Sequence, residues 1–385
     1  MNLDLIFAIL FYGLLFLFYL KHKNKFEVQD KMFALYKTKL GIKLMDKYAK
    51  IAPRFLVFLG YFGIVVGFLG MIFIFYILVK GTYGLIFIKN AQPVLAPVLP
   101  GLQIVPGLPV LSFWHWIIAI FIVAVIHEFS HGVFARLYNL KIKSSGFAFL
   151  GPILAAFVEP DEKAMNKKPK KQQLSILAAG PFSNILLAIV ILLILNLVFL
   201  PLQTNFFKAD GINLVNVEKG GPAELAGLKS GLIIKEVSNI KITDQKQLVS
   251  IIQNSNGDEI KLITDKGEFI IKPQKKQDTY YVGISIINNV VVKESIPGFI
   301  LPLTKWFNML FFWLWIISFG IGLFNLLPLG PIDGGRMFYV AMQNFFDDKK
   351  AMKLFKIVSI FCLALIVVNL LPYLLKLFNW IINLF

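Results

Sequence analysis

Hydrophobic positions in this chain fall into long, nearly unbroken runs separated by short polar stretches, with one central interval where they alternate with polar positions instead. Six runs, residues 5–20, 55–79, 112–139, 174–200, 297–327 and 355–384, approach or exceed what a bilayer requires. A hydrocarbon layer about 30 Å thick is crossed by about 20 helical residues, so each run predicts a transmembrane helix. From residue 203 to 293 the pattern changes to near-balanced charge with alternation, as in Gly267-Glu268-Phe269-Ile270-Ile271-Lys272. Period-two alternation predicts strands half-buried in a soluble domain. The expected fold class is a polytopic α-helical membrane protein of about six transmembrane helices with re-entrant segments, carrying one mainly β extramembrane domain. Its parts are an N-terminal helix with a basic segment (1–53), a first membrane core (54–202), the β domain (203–293) and a second membrane core (294–385).

Shorter features sit between the runs. Residues 32–48 place apolar side chains among lysines at helical spacing, which suits a helix on the membrane surface or a solvated linker. Residues 92–101, followed by Pro106, Gly107 and Pro109, are apolar but too rich in Pro and Gly for a helix; they predict a loop capping the outer side of the bundle and gating it. Phe113, Trp114 and Trp116 read as an interfacial aromatic belt, with His115 an interfacial residue rather than a ligand. Residues 146–158 are apolar yet too short to span, with Gly151-Pro152 at the centre, and predict a re-entrant hairpin.

Composition strengthens the membrane reading: 57% of residues are hydrophobic and 38 are Phe, and the mean hydropathy is +0.72. The formal charge of +17 would suit a nucleic-acid partner in a soluble protein. Here the lysines gather at the ends of apolar runs, so the expected partner is the lipid bilayer and not nucleic acid. Ten Lys or Arg lie between residues 21 and 54 and five between 159 and 173, whereas residues 81–112 hold only Lys89. The positive-inside rule then makes the first two segments cytoplasmic and places both termini and the β domain outside. The N-terminal run has neither a basic start nor a small-residue cleavage site and reads as a retained helix. The single Cys, Cys362, excludes a disulfide framework and a cysteine-based metal site.

The chemistry concentrates in the third run, at Val125-Ile126-His127-Glu128-Phe129-Ser130-His131-Gly132. On a helix, His127 and His131 share one face and can grip one metal ion, while Glu128 can reach water beside it. Two imidazoles and a carboxylate in hydrocarbon are costly unless they pair with one another or with a metal. The plain alternative is a histidine pair satisfied by hydrogen bonds. The fifth run ends in Asn325-Leu326-Leu327-Pro328-Leu329-Gly330-Pro331-Ile332-Asp333-Gly334-Gly335-Arg336, where Pro and Gly must break the helix. Freed backbone and a carboxylate at membrane depth both need partners, so Asp333 also marks a site. Catalytic zinc takes three protein ligands and one open position. The motif helix supplies two, and Asp333 is the third by elimination, with Glu159 as its rival.

These motifs, together with Ala178-Ala179-Gly180-Pro181-Phe182-Ser183-Asn184 at the start of the fourth run, stand in an order that resembles the site-2 protease family of intramembrane zinc metalloproteases over roughly residues 113–345. Residues 220–231, with Gly220, Gly221, Pro222 and Gly231, resemble the start of PDZ domains, although Leu232 replaces the usual acidic residue. Ile332 and Gly330 are mild departures from the family pattern. The resemblance implies His127, His131 and Asp333 as ligands of one Zn2+, Glu128 as general base and Asn325 as a substrate contact near the scissile bond. The partner it implies is a transmembrane protein already trimmed by another protease; from its position between the two spans flanking the metal site, the PDZ-like domain is expected to exclude bulky ectodomains, a groove for a newly exposed carboxyl terminus being the other possibility. Two other classes fit less well: a catalytically silent binding or chaperone protein of the same fold, and a metal transporter, which would need no Glu128 and would usually show repeats.

Overall fold

A computed structural model of the chain describes residues 3–29, 33–89, 91–101, 108–150, 153–276 and 279–382. Helix α1 (Leu3–His22) leads through a 3-10 turn into strands β1 (Phe26–Gln29) and β2 (Phe33–Thr38), then helices α2 (Ile42–Ile51), α3 (Pro53–Phe87) and α4 (Phe113–Leu137). Strands β3 (Ile142–Leu150) and β4 (Ile153–Pro160), the short α5 (Glu162–Asn166) and α6 (Lys170–Ile194) follow, and α6 continues through a π turn into α7 (Leu200–Phe206). Next come β5 (Phe207–Val217), α8 (Pro222–Leu225), β6 (Ile233–Val237), β7 (Ile240–Lys241), α9 (Gln245–Asn254) and β8 (Ile260–Thr264). The strands end with β9 (Gly267–Ile271), β10 (Gln274–Lys276), β11 (Thr279–Tyr281) and β12 (Ile284–Val292). Helices α10 (Ile300–Phe324), α11 (Asp333–Met342) and α12 (Asp348–Ile382) close the chain. Two compact units result, residues 1–193 with 309–385, and residues 194–308.

Among the described residues, six helices are long and apolar enough to cross a membrane, in the six places the runs predict. In the first unit α3 is the central packing surface. Gly60, Gly63, Gly67 and Gly70 recur at three- and four-residue spacing, and a Cβ at Gly60 would stand 2.1 Å from Ser175 Oγ of α6, one at Gly70 2.5 Å from Leu326. Small residues on one face let neighbouring backbones approach where burial gives no hydrophobic drive. The same helix leaves Phe58, Phe62, Leu69 and Ile72 exposed on its other side, as a lipid-facing surface requires. Asn369 of α12, fully buried, donates to Thr82 Oγ1 at 2.8 Å and accepts from Val94 N–H at 3.3 Å. Trp116 Nε1 donates to Val98 O at 3.0 Å. The proline-rich segment is thereby pinned to α3, α4 and α12 over an apolar cavity of about 510 Å³ lined by Ile74, Ile77, Leu95, Pro97 and Trp313; Pro106 and Gly107 lie outside the described residues.

The expected re-entrant hairpin is β3–β4, and it belongs to a larger antiparallel sheet in the order β1-β2-β3-β4. The helix expected over residues 32–48 is corrected by this sheet. Phe33–Thr38 is strand, pairing Lys37 with Gly146, and helix begins only at Ile42, after Gly41 turns the chain with a φ of 80°. Local spacing suited a helix, and pairing with β3 more than a hundred residues away overrode it. Thr38 Oγ1 donates to Ser145 O at 2.9 Å, and Ser145 Oγ to Leu40 O at 2.6 Å, fixing that pairing. Met45 and Ala49 of α2 pack on Val133 of α4 and Ile142, and Arg136 of α4 pairs with Asp46 of α2. Strand β4, an edge strand of the sheet like β1, lies against α4 and donates Val158 N–H to Glu128 there.

The second unit is an antiparallel sheet in the order β12-β5-β6-β8-β9, with β7 on β6 and helices α8 and α9 beside it. Ile212, Leu214, Ile234, Val237, Ile242 and Leu248 are fully buried in its core. Leu232 is buried with them, which accounts for an apolar residue at that place. A groove of about 480 Å³ runs between α9 and the edge strand β12, lined by Val249, Ile252, Tyr280, Gly283, Ile284 and Ile286.

Candidate active site

Ser112 caps α4, accepting from His115 N–H at 3.4 Å, and the helix runs unbroken to Leu137, so His127 and His131 stand one turn apart. Their Nε2 atoms are 3.2 Å apart. Asp333 Oδ2 lies 3.0 Å from His127 Nε2 and 3.2 Å from His131 Nε2. Asp333 comes there because α10 ends at Phe324 and the chain turns back on itself before α11. Gly334 N–H donates to Asn325 O at 2.7 Å, closing that turn. Only glycine fits: a Cβ at Gly334 would meet Leu326 O at 2.3 Å and one at Gly335 would meet Leu329 O at 2.1 Å. Among the described residues, His127, His131 and Asp333 form the one group of three potential metal ligands. Glu159, the rival carboxylate, is elsewhere: it accepts from Ser144 Oγ at 2.6 Å and pairs with Lys37 at 3.4 Å.

Helix α6 forms the opposite wall. Ile176, Gly180 and Asn184 follow one another at four-residue spacing and so share a face toward the histidines. Pro181, which lacks an N–H, lies inside the helix at this level. Ile176 O accepts from His131 Nδ1 at 2.7 Å, and Asn184 Nδ2 lies 3.0 Å from His127 Nδ1. A Cβ on Gly180 would stand 2.3 Å from His131 Nε2 and 2.6 Å from His127 Nε2, so residue 180 must be bare to leave room beside both nitrogens. Glu128 Oε2 accepts from Val158 N–H of β4 at 2.9 Å. Asn325 is half-buried at the end of α10. Gly180 and Asn184 are given no role by sequence reasoning, which uses their motif only as part of the family resemblance. Their signal is a buried polar residue four positions after a glycine in an apolar span.

Two imidazoles and a carboxylate at the corners of a triangle 3.0–3.2 Å on a side suit a small divalent cation. Zn–N bonds of 2.0–2.1 Å in a tetrahedron set ligand atoms about 3.3 Å apart, and N and O donors are what zinc takes. The donor set and the bare residue 180 thus fit zinc.

Residues 115–369 match the model of peptidase family M50. The chain belongs to that family. As an M50 protein with six apolar helices among its described residues it is a multi-pass membrane protein of the site-2 protease class. It is 29% identical over 356 residues to an uncharacterised protein of Methanocaldococcus jannaschii, covering 87% of this chain and 85% of that one. A putative zinc metalloprotease of Clostridium acetobutylicum is 25% identical over 310 residues, covering 60% of this chain and 88% of that one. Zinc metalloprotease RasP of Shouchella clausii is 22% identical, covering 50% of this M50 chain and 55% of its own length. Among solved structures, the PDZ domain of an SdrC-like protein from Listeria monocytogenes matches 20% of this chain and 88% of that one, at 24% identity and a TM-score of 0.19.

Proposed function

We propose that this M50 chain is an intramembrane zinc metalloprotease that hydrolyses peptide bonds within or near the transmembrane helices of membrane-anchored substrates. The observation that carries the reading is the meeting of His127, His131 and Asp333 with Glu128 on the same helix. His127 Nε2, His131 Nε2 and Asp333 Oδ2 would hold zinc. When bound, zinc supplies Lewis-acid chemistry, acidifying water and polarising a carbonyl.

The chain's own residues do the rest. Glu128 takes a proton from water at its carboxylate and delivers it to the leaving amine. Val158 N–H holds Oε2 of Glu128 and so sets the direction of that carboxylate. A substrate helix hides its peptide carbonyls in hydrogen bonds and must unwind to be cut. The free edge of β4 can receive the unwound segment as an added strand, with β4 bringing it to Glu128. Asn325, at the end of α10, would contact the substrate near the scissile bond.

Glu128→Gln tests the reading. Cleavage of a reporter transmembrane substrate should fall by roughly 10²–10⁴-fold, the usual contribution of general acid–base catalysis, with zinc retained. Full cleavage by this variant sinks the protease mechanism; native protein that takes up zinc and cuts nothing points to a silent relative.

A further inference from the structure

The two histidines of the centre are oriented by different chemistry. His131 Nδ1 faces the carbonyl of Ile176 at 2.7 Å, and a carbonyl only accepts, so that ring carries its proton on Nδ1 and keeps the Nε2 lone pair toward Asp333. His127 Nδ1 faces a side-chain amide, that of Asn184, which is completely buried. An amide presents its oxygen or its NH2 to the same point by a half-turn about χ2, so the ring it meets decides which end serves. The NH2 on Nδ1 would force the ring proton onto Nε2. The oxygen on Nδ1 accepts the ring proton there and leaves Nε2 with a lone pair beside His131 Nε2 and Asp333 Oδ2.

Three observations single out this residue. Oδ1 of Asn184 is a buried acceptor with no partner among the described residues when NH2 faces the ring; the half-turn gives Oδ1 the ring N–H and puts NH2 in its place. The Asn184 side chain is enclosed, with no exposed surface, and its residue is anchored to α10, its Cβ lying against Gly322 and its main-chain oxygen accepting from Ser318 Oγ at 2.8 Å. Ile176 and Asn184 stand eight residues apart on one face of α6, one acceptor for each imidazole. We propose that Asn184 is the positioning residue that sets the tautomer of His127, its Oδ1 taking the Nδ1–H so that both histidines offer Nε2 to one metal ion. The inference rests on the metalloprotease reading of the site.

The test compares full-length native protein, Asn184→Leu and Asn184→Asp in detergent micelles, measuring zinc affinity by competition with a chromophoric chelator. Loss of an outer-shell hydrogen bond to a ligating histidine costs about 10–100-fold in metal affinity, which is the loss expected for Asn184→Leu. Asn184→Asp keeps the acceptor and should bind zinc near the native strength, which a role in shape or helix contact alone would not explain. Native-like affinity in Asn184→Leu, or equal weakening in both variants, overturns the proposal. Should the leucine variant fail to fold, nitrogen NMR of zinc-loaded native protein decides, with the His22 and His115 signals removed by substitution. A proton on Nδ1 of both remaining histidines is expected; a proton on Nε2 of His127 overturns the proposal. Native protein that binds no zinc would overturn the metalloprotease reading and this inference together, whereas tight zinc in native and leucine variants alike overturns the inference alone.

Discussion

Gly180 faces both imidazoles of α4, and the Cβ it lacks would stand 2.3 Å from His131 Nε2. Gly180→Ala should therefore separate folding from metal binding. Alanine gains up to about 1 kcal/mol over glycine inside a helix, but its Cβ must push both imidazoles aside, so the metal-free protein should unfold at or a little below the native temperature. Zinc affinity should collapse in the same variant; a zinc affinity unchanged from native would show that the nitrogens do not converge beside residue 180. Asp333→Ala removes a ligand outright, and its zinc affinity should fall beyond the roughly 10–100-fold that an outer-shell loss costs. Stoichiometric, tightly held zinc in Asp333→Ala would refute the assignment, while Glu159→Ala should leave zinc in place. These residues differ in how openly the sequence displays them. His127, Glu128 and His131 carry a spacing that has meaning within one helix, and Asp333 is a carboxylate in a broken apolar helix. Gly180 and Asn184 acquire their roles only from the helix they face, and local pattern does not say which helix that is.

Among the elements, β4 makes the most exacting prediction. Val158 N–H points away from β3, since it donates to Glu128, and in a strand Ala156 N–H points the same way. Ala156→Pro removes an N–H from the free edge without removing one from the β3–β4 ladder, and edge strands accept proline there. If substrate docks on this edge, the variant should fold and bind zinc as before but cleave several-fold to about tenfold more slowly, the worth of about one hydrogen bond. Unchanged cleavage by Ala156→Pro would mean that the substrate strand lies elsewhere. The helices of this fold were legible because a span is a local property, a run of about 20 apolar residues. The hairpin expected at residues 146–158 was legible for the converse reason, being too short to span and broken at its centre by Gly and Pro, though its strands run on to Ile142 and Pro160. Strand β2 was not. Phe33–Thr38 is short, and what makes it a strand is a pair of neighbours, one of them β3 across three helices of intervening chain.

At the scale of the whole molecule, pairing within the membrane unit constrains topology. Strands β2 and β3 belong to the connections after the first and third spans, so sharing a sheet puts those two connections on one side of the bundle. The turn carrying Asp333 follows the fifth span and meets His127 and His131 near the end of α4 that leads into β3, which puts the fifth connection there too. These first and third connections hold the lysine-rich segments, whereas residues 81–112 hold only Lys89. By the positive-inside rule the sheet side is cytoplasmic, and with six spans both termini and the insert between the fourth and fifth are expected outside. Cysteine labelling can read this directly, because the one native thiol, Cys362, is fully buried. Asn254 is exposed at the end of α9, so Asn254→Cys should react with an impermeant maleimide in intact cells. Lys167, exposed in the third connection, gives the reciprocal probe, and Lys167→Cys should react only after the cells are opened. Labelling of position 254 only after lysis, with position 167 labelled in intact cells, would invert the molecule in its membrane and place the PDZ-like domain in the cytoplasm.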